Sequence, residues 1–258
     1  MHPRTRVVLL GASNLTLAFP HVVAHVRSAL RSPLDVFAAI GHGRSYGKTS
    51  RVLLRELPGI TDCGLWAALD RSVGGDGALA LLTDFGNDLV YGTDVGTIAQ
   101  WIGSILERLA SHRARCAIVR LPLQSLERLS PLRFRVARGI LYPSHRVELA
   151  ELRERAHALD ERMLALARAH GAMLVEQRGE WYGFDPIHIR TGRRREAWDE
   201  ILAPLVNGAS GTSSRALERV ERRALRRLRP EQRRWMGREQ RRAQPAAELL
   251  DGTTISVY

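Results

Sequence analysis

The sequence predicts an α/β fold: a three-layer α/β/α sandwich built on a five-stranded parallel sheet. Two observations carry this expectation. Short apolar runs alternate with amphipathic helical patterns, and polar, glycine-rich segments follow directly after three of the runs. Right-handed crossovers wind such β-α-β units into a sheet with helices on both faces, and ligands then sit at the carboxyl ends of the strands.

The first run, Val7 to Leu10, reads as a core strand. Gly11-Ala12-Ser13-Asn14 turns the chain, and Leu17 to Leu30 has a helical pattern. The second strand, Val36 to Ile40, leads into the loop Gly41 to Lys48, after which a helix is expected over Ser50 to Glu56. The third strand, Ala78 to Leu82, ends at the polar stretch Asp84 to Asp88. Over Val95 to Ala110 the periodicity is clear, because Ile98, Trp101, Ile102, Ile105, Leu106 and Leu109 fall on one stripe. Cys116 to Leu121 is the fourth strand, a long helix lies within Ser144 to His170, Met173 to Val175 is the fifth strand, and Arg193 to Leu205 the next helix.

After Val206 the composition changes. Asn207 to Ser214 is a linker by content, and Ala216 to Met236 is an arginine-rich helical pattern with few apolar residues. The expected division is a catalytic unit over residues 1–207 and an extension over 208–258 that docks as a helix or stays disordered.

Hydrophobic residues make up 45% of the chain and charged residues 26%, the balance of an ordinary soluble globular protein. No apolar run reaches the roughly 20 residues that span a bilayer. The short lead before Val7 leaves no room for a secretion signal, and Cys63 and Cys116 sit far apart among apolar residues, so a cytoplasmic protein without a disulfide framework is expected. The net charge of +12 raises the question of nucleic acid. From Ala209 to Tyr258, however, twelve arginines face five glutamates and one aspartate, so half the excess sits in the last fifth of the chain. A solvated basic face is the expected reading, and nucleic acid is not an expected partner.

Four segments carry chemistry. Ser13 sits on a tight strand-to-helix turn, which exposes its Oγ at the sheet edge and sets its backbone N–H at a helix N-terminus. Such a serine is as often a helix cap. In Asp185-Pro186-Ile187-His188 a carboxylate three residues before a histidine can reach the imidazole Nδ1 and fix which ring nitrogen acts as base. In Gly86-Asn87-Asp88 a side-chain amide can donate to a developing oxyanion, although the same tripeptide is also good turn chemistry. The loop from Gly41 to Ser50 can present backbone N–H groups, but its glycine and lysine spacing is not that of a phosphate loop.

Together and in this order, the four segments resemble the consensus blocks of SGNH/GDSL hydrolases, over about residues 6 to 206. The resemblance implies the flavodoxin-like SGNH fold and an ester hydrolase with Ser13 as nucleophile, His188 as base and Asp185 as its partner. It implies oxyanion donors at Ser13, Gly47 and Asn87, with Gly43 as the alternative to Gly47. Tyr46, Arg44 and Trp181 are the expected substrate contacts, on an acylated small molecule, and neither cofactor nor metal is expected. The chain departs from the pattern at Ala12, where the family motif has aspartate, and at Phe85, where it has glycine.

Two other readings stand beside this one. A metal-dependent phosphoesterase would gather Asp84, Asp88, Asp185, His188 and His42 at the strand edge, though only Asp185 and His188 show a ligand-like spacing. A non-catalytic domain of the same fold would bind a partner or nucleic acid through the basic tail.

Overall fold

A computed structural model describes residues 4–30, 33–72, 77–141, 147–207 and 217–258. In chain order the elements are β1 (Thr5–Leu10), α1 (Ser13–Leu30), β2 (Leu34–Ala39), β3 (Ser50–Val52), β4 (Arg55–Leu57), α2 (Leu65–Arg71), β5 (Ala78–Leu82), α3 (Gly86–Val90), α4 (Val95–Ser111) and β6 (Ala114–Val119). There follow α5 (Leu123–Glu127), α6 (Pro131–Leu141), α7 (Leu149–His170), β7 (Met173–Val175), α8 (Arg194–Val206), α9 (Arg219–Arg226), β8 (Gln232–Trp235), β9 (Arg238–Arg241), β10 (Ala247–Glu248) and β11 (Thr254–Val257).

β1 is apolar on both faces because helices cover both: Val7, Val8, Leu9 and Leu10 are fully buried. On one side Val7 and Leu9 pack with Val22, Val23 and Val26 of α1 and Trp198 and Leu202 of α8. On the other, Val8 and Leu10 join Ile98, Ile102 and Ile105 of α4 and Leu159 and Met163 of α7. Asp94 starts α4 by accepting the Thr97 N–H at 3.1 Å, and Gly171 ends α7 in the left-handed conformation at φ 62°.

The main sheet runs β10-β11-β2-β1-β5-β6-β7, with every pair parallel except β10 with β11. The expected five parallel strands are all present, and the count rises to seven because β11 pairs alongside β2 and β10 folds back on it. β1 lies between β2 and β5, so the chain winds outward in both directions from β1 and β5. Their carboxyl ends flank the topological switch point, where the crevice opens.

Two sequence expectations are corrected. Ser50 to Glu56 is not a helix but the hairpin β3-β4, closed by the two-residue turn Leu53-Leu54. Its partner is β8, from the far end of the chain, in a second sheet of order β3-β4-β8-β9. No local window contains that pairing. The helix expected over Ala216 to Met236 extends only over Arg219–Arg226, because β8 satisfies its backbone through β4 and β9. Most of the Gly/Ser linker, from residue 208 onward, lies outside the described residues.

α9 docks on the α1 side of the main sheet. Leu217 and Leu225 enter the core there, and Arg27 of α1, only 3% exposed, binds Asp251 at 2.6 Å and lies 3.8 Å from Glu221. Cys63 and Cys116 are both free thiols and buried. Among the described residues no helix is long and apolar enough to cross a membrane.

Candidate active site at the end of the first strand

The turn after β1 is built by a residue from another strand. Asp84, just past β5, accepts the backbone N–H groups of Ala12 at 2.9 Å and Leu15 at 3.1 Å through Oδ2, and the Asn14 side-chain amide at 3.0 Å through Oδ1. A carboxylate at this point satisfies N–H groups at the start of α1 and complements the positive end of the helix. Asp84 holds φ at 64° to do so, a conformation that non-glycine residues seldom adopt. Gly11 lets the two strand ends approach, since a Cβ there would run into Thr83 and Leu15.

Ser13 is the first residue of α1 and 7% exposed. Its Oγ lies 2.9 Å from His188 Nε2, and His188 Nδ1 lies 2.6 Å from Asp185 Oδ2. The tautomer that serves both contacts carries the ring proton on Nδ1, donated to Asp185, which leaves Nε2 to accept the Ser13 hydroxyl proton.

The loop bearing His188 is held from three directions. Asp185 Oδ1 accepts the backbone N–H of Ile187 at 3.0 Å and of His188 at 3.2 Å, which curls the loop upon itself. Ser125 Oγ donates to the Pro186 carbonyl at 3.1 Å. Asn14 donates to the Ile187 carbonyl at 2.8 Å while its Oδ1 accepts the Ile189 N–H at 2.9 Å. Burial raises the affinity of Asp185 for its proton, but the hydrogen bonds from His188 and the Ile187 amide outweigh it, and its pKa falls below the usual value.

Asn87 sits on α3 at the end of β5, 8% exposed, and lines the same cavity as Ser13. The next residue, Asp88, turns the other way: fully buried, it accepts the Tyr46 N–H at 2.9 Å and the Ser45 hydroxyl, tying α3 to the loop after β2. Burial pushes its pKa up to about 6, against the pull of those two donors and of Lys48. His42 has its pKa lowered by burial, then by Arg55 and His188, with Asp84 opposing, which places this ring in the electrostatic field of the Ser13 site. The sequence offered His42 only as a possible metal donor at the strand edge, not as a neighbour of the Ser13 site.

The loop after β2 corrects several expectations. Arg44 is not at a substrate surface. It is fully buried and donates to the carbonyls of Pro58 at 3.2 Å, Ile40 at 3.3 Å and Tyr258. Tyr46 is also fully buried, its hydroxyl donating to the Thr83 carbonyl at 2.8 Å beneath the strand ends. Trp181, 1% exposed, belongs to the core with Trp198 and Ile201, while its neighbour Tyr182 lines the cavity. Gly47 packs under the Trp101 ring and against Gly59, away from the cavity lining. Gly43, with φ 60°, follows His42, and its carbonyl accepts the Tyr91 hydroxyl at 2.6 Å, just beyond the helix that carries Asn87. Neither glycine lines the cavity; Gly43 is tied to Tyr91, which directly follows the helix that carries Asn87.

From Ser13 and Asn87 a cavity of about 990 Å³, counted with its open mouth, runs under α5 and α6. Leu121, Leu126, Leu129 and Phe134 give it an apolar wall. Among the described residues, three metal donors do not converge here. The Asp84 carboxylate is taken up by the turn after β1 and that of Asp88 by Ser45 and Tyr46. Among the described residues, the group whose donor atoms come within 4.8 Å of one another is His21, His25 and Asp199, between α1 and α8. An alcohol, an imidazole and a carboxylate in hydrogen-bonded series, beside an amide and an apolar cavity, can move a proton from the alcohol as it attacks an acyl carbon.

No protein-family model and no curated protein matches the sequence. Solved structures do match the fold. A carbohydrate acetylesterase family member from Sinorhizobium meliloti is similar over 81% of this chain and 100% of its own, with TM-score 0.55 and 16% identity. The lipase/acylhydrolase from Enterococcus faecalis is similar over 81% of this chain and 100% of its own, with TM-score 0.51 and 13% identity. The chain shares its α/β/α architecture with these proteins.

Proposed function

From a chain with this hydrolase-type α/β/α fold, we propose a serine hydrolase of the SGNH/GDSL type that cleaves carboxyl esters through an acyl-enzyme. The observation that carries the reading is the series Ser13 Oγ, His188 Nε2 at 2.9 Å, and Asp185 Oδ2 at 2.6 Å from His188 Nδ1. His188 takes the Ser13 proton as Oγ attacks the acyl carbon, and Asp185, ionised because its pKa is lowered, stabilises the imidazolium. The protonated ring then gives that proton to the leaving alcohol, and water attacks the acyl-enzyme by the same path in reverse.

The oxyanion rests between the Ser13 N–H, the Asn87 amide and the backbone of the Gly43 turn. Donors placed where charge develops are worth more inside a water-poor site than in solution. The apolar wall of Leu121, Leu126, Leu129 and Phe134 accepts an acyl chain of several carbons. Each methylene buried there contributes about 0.8 kcal/mol, roughly a fourfold gain in kcat/KM. A fluorophosphonate probe followed by peptide mapping tests the reading. Labelling at Ser13 that is lost in His188→Ala supports it, and failure of the folded wild-type protein to label removes it.

A further inference from the structure

Two hairpin tips, distant in sequence, lie side by side on the small sheet. The β3-β4 turn is Leu53-Leu54 and the β8-β9 turn is Met236-Gly237, and the Met236 N–H donates to the Leu54 carbonyl at 2.9 Å. Their side chains point to solvent: Leu53 is 87% exposed, Leu54 48%, Trp235 40% and Met236 66%. Hairpin turns of this length ordinarily take Asn, Asp or Gly, because their backbone runs to positive φ. Here Leu53 at φ 55° and Met236 at φ 50° hold that conformation despite their side chains. Local propensity and solvation both disfavour apolar residues at such positions, and a rule broken at two adjacent tips marks a site.

The sheet beneath the tips is basic. Across its four strands and two turns stand six arginines and two glutamates. Glu56 is shared between Arg51 at 3.9 Å and Arg234 at 3.6 Å, and Glu239 pairs with Arg241 at 2.7 Å. Arg55 instead donates to the His42 carbonyl, and Arg233 lies over the Trp235 ring at 5.3 Å.

We propose that these tips dock the protein on an anionic lipid surface, with Leu53, Leu54, Trp235 and Met236 entering the headgroup boundary and the arginine rim facing acidic lipid. An apolar tip with a basic collar is the composition that binds in the plane of a membrane interface, where Trp is at home. A second copy of the chain fits less well, since a two-fold pairing of this face sets like charges against each other. Phosphate backbones would use the arginines but leave the leucines and methionine unexplained. β4 is tied through Arg55 to the carbonyl of His42, in the loop after β2.

The test is co-sedimentation of the full chain with vesicles of phosphatidylcholine containing 30% phosphatidylglycerol, and with pure phosphatidylcholine vesicles. Binding is expected to the first, weakened more than tenfold by 0.5 M salt and by L53D/M236D, whose substitutions lie in solvent and leave the circular dichroism unchanged. Should that double variant misfold, the milder L53S/L54S is expected to lower binding at least threefold. Ser13→Ala is expected to bind as the wild type does, so that failure of the hydrolase reading leaves this result untouched. No binding to the anionic vesicles overturns the proposal, as does binding indifferent to both tip variants. Tip-dependent binding of a single-stranded oligonucleotide without vesicle binding, or a tip-dependent dimer without it, overturns it in favour of those partners.

Discussion

The Asn14 side-chain amide donates to Asp84 Oδ1 at 3.0 Å and to the Ile187 carbonyl at 2.8 Å, so one residue beside Ser13 joins the end of β5 to the loop that carries His188. Its oxygen accepts the Ile189 N–H in addition. Asn14→Ala is therefore expected to lower kcat by more than tenfold while KM changes less than threefold, with a stability loss of about 1–3 kcal/mol. Asn14 acts through His188, so the fluorophosphonate labelling rate should fall with kcat. A stability loss with an unchanged labelling rate would make Asn14 a structural clamp only.

Ser13→Ala removes an oxygen whose hydrogen-bond partner is His188 Nε2. Ester hydrolysis is expected to drop by at least about 10³-fold. The melting temperature should stay within a degree or two of wild type, because α1 is held in place by Leu15, Phe19, Val22, Val23 and Val26. Substantial hydrolysis by the alanine variant would leave Ser13 a helix-start residue without a chemical role.

Asn87→Ala should cost on the order of 10²- to 10³-fold in kcat, the usual worth of one oxyanion donor, with little change in KM. The measurement is steady-state hydrolysis of a nitrophenyl ester beside a thermal melt. Normal turnover in the folded variant would reassign Asn87 to the turn chemistry that Gly-Asn-Asp also satisfies.

The parts of this molecule that were legible in the sequence are those fixed by local pattern. β5 throughout, β1 from Val7 and β6 from Cys116 are apolar runs because helices cover both faces, and the stripe on α4 repeats at the helical period, so each announces itself within a short window. Ser13, Asn87, Asp185 and His188 stand at strand ends or on one stiff loop, and their order matched known blocks. The illegible parts depend on partners far away. β3 and β4 form a hairpin beside β8, and the main sheet gains β11 from the end of the chain. Arg44 and Tyr46 looked like loop residues free to meet a substrate, yet the carbonyls that bury them belong to Tyr258, Pro58 and Thr83. The same blindness hid Asp84, whose role is visible only once β5 lies next to β1.

The apolar cavity predicts a chain-length preference. Ala137 of α6 lines it opposite the strand ends, together with Leu129 and Phe134. Ala137→Phe shortens the available space without touching Ser13, Asn87 or His188. In a nitrophenyl ester series kcat/KM is expected to rise with acyl length in the wild type, and to fall about tenfold or more on octanoate in the variant while acetate is unaffected. A flat series in the wild type would place the acyl chain outside this cavity.

Asp88 links the same site to pH. Burial holds its pKa at about 6 in the folded protein, above the ordinary 3.8, so folding favours the protonated form. Its contribution to stability is then fully present below about pH 4 and is lost as pH rises through 6, on the order of 3 kcal/mol for a shift of this size. Asp185 runs the other way: its lowered pKa adds stability that is present above the ordinary carboxylate value and lost as pH falls through the folded one. Subtracting one protein from another separates the two. At pH 4 the wild-type group is the neutral acid with a single O–H; Asp88→Asn keeps an oxygen for the Tyr46 N–H but buries a second N–H donor, so it should be less stable than wild type there. Because the amide does not ionise, the variant should recover part of that deficit between pH 4 and 7. Urea denaturation at both pH values reads the difference, and a deficit of equal size at each would mean that Asp88 keeps an ordinary pKa despite its burial.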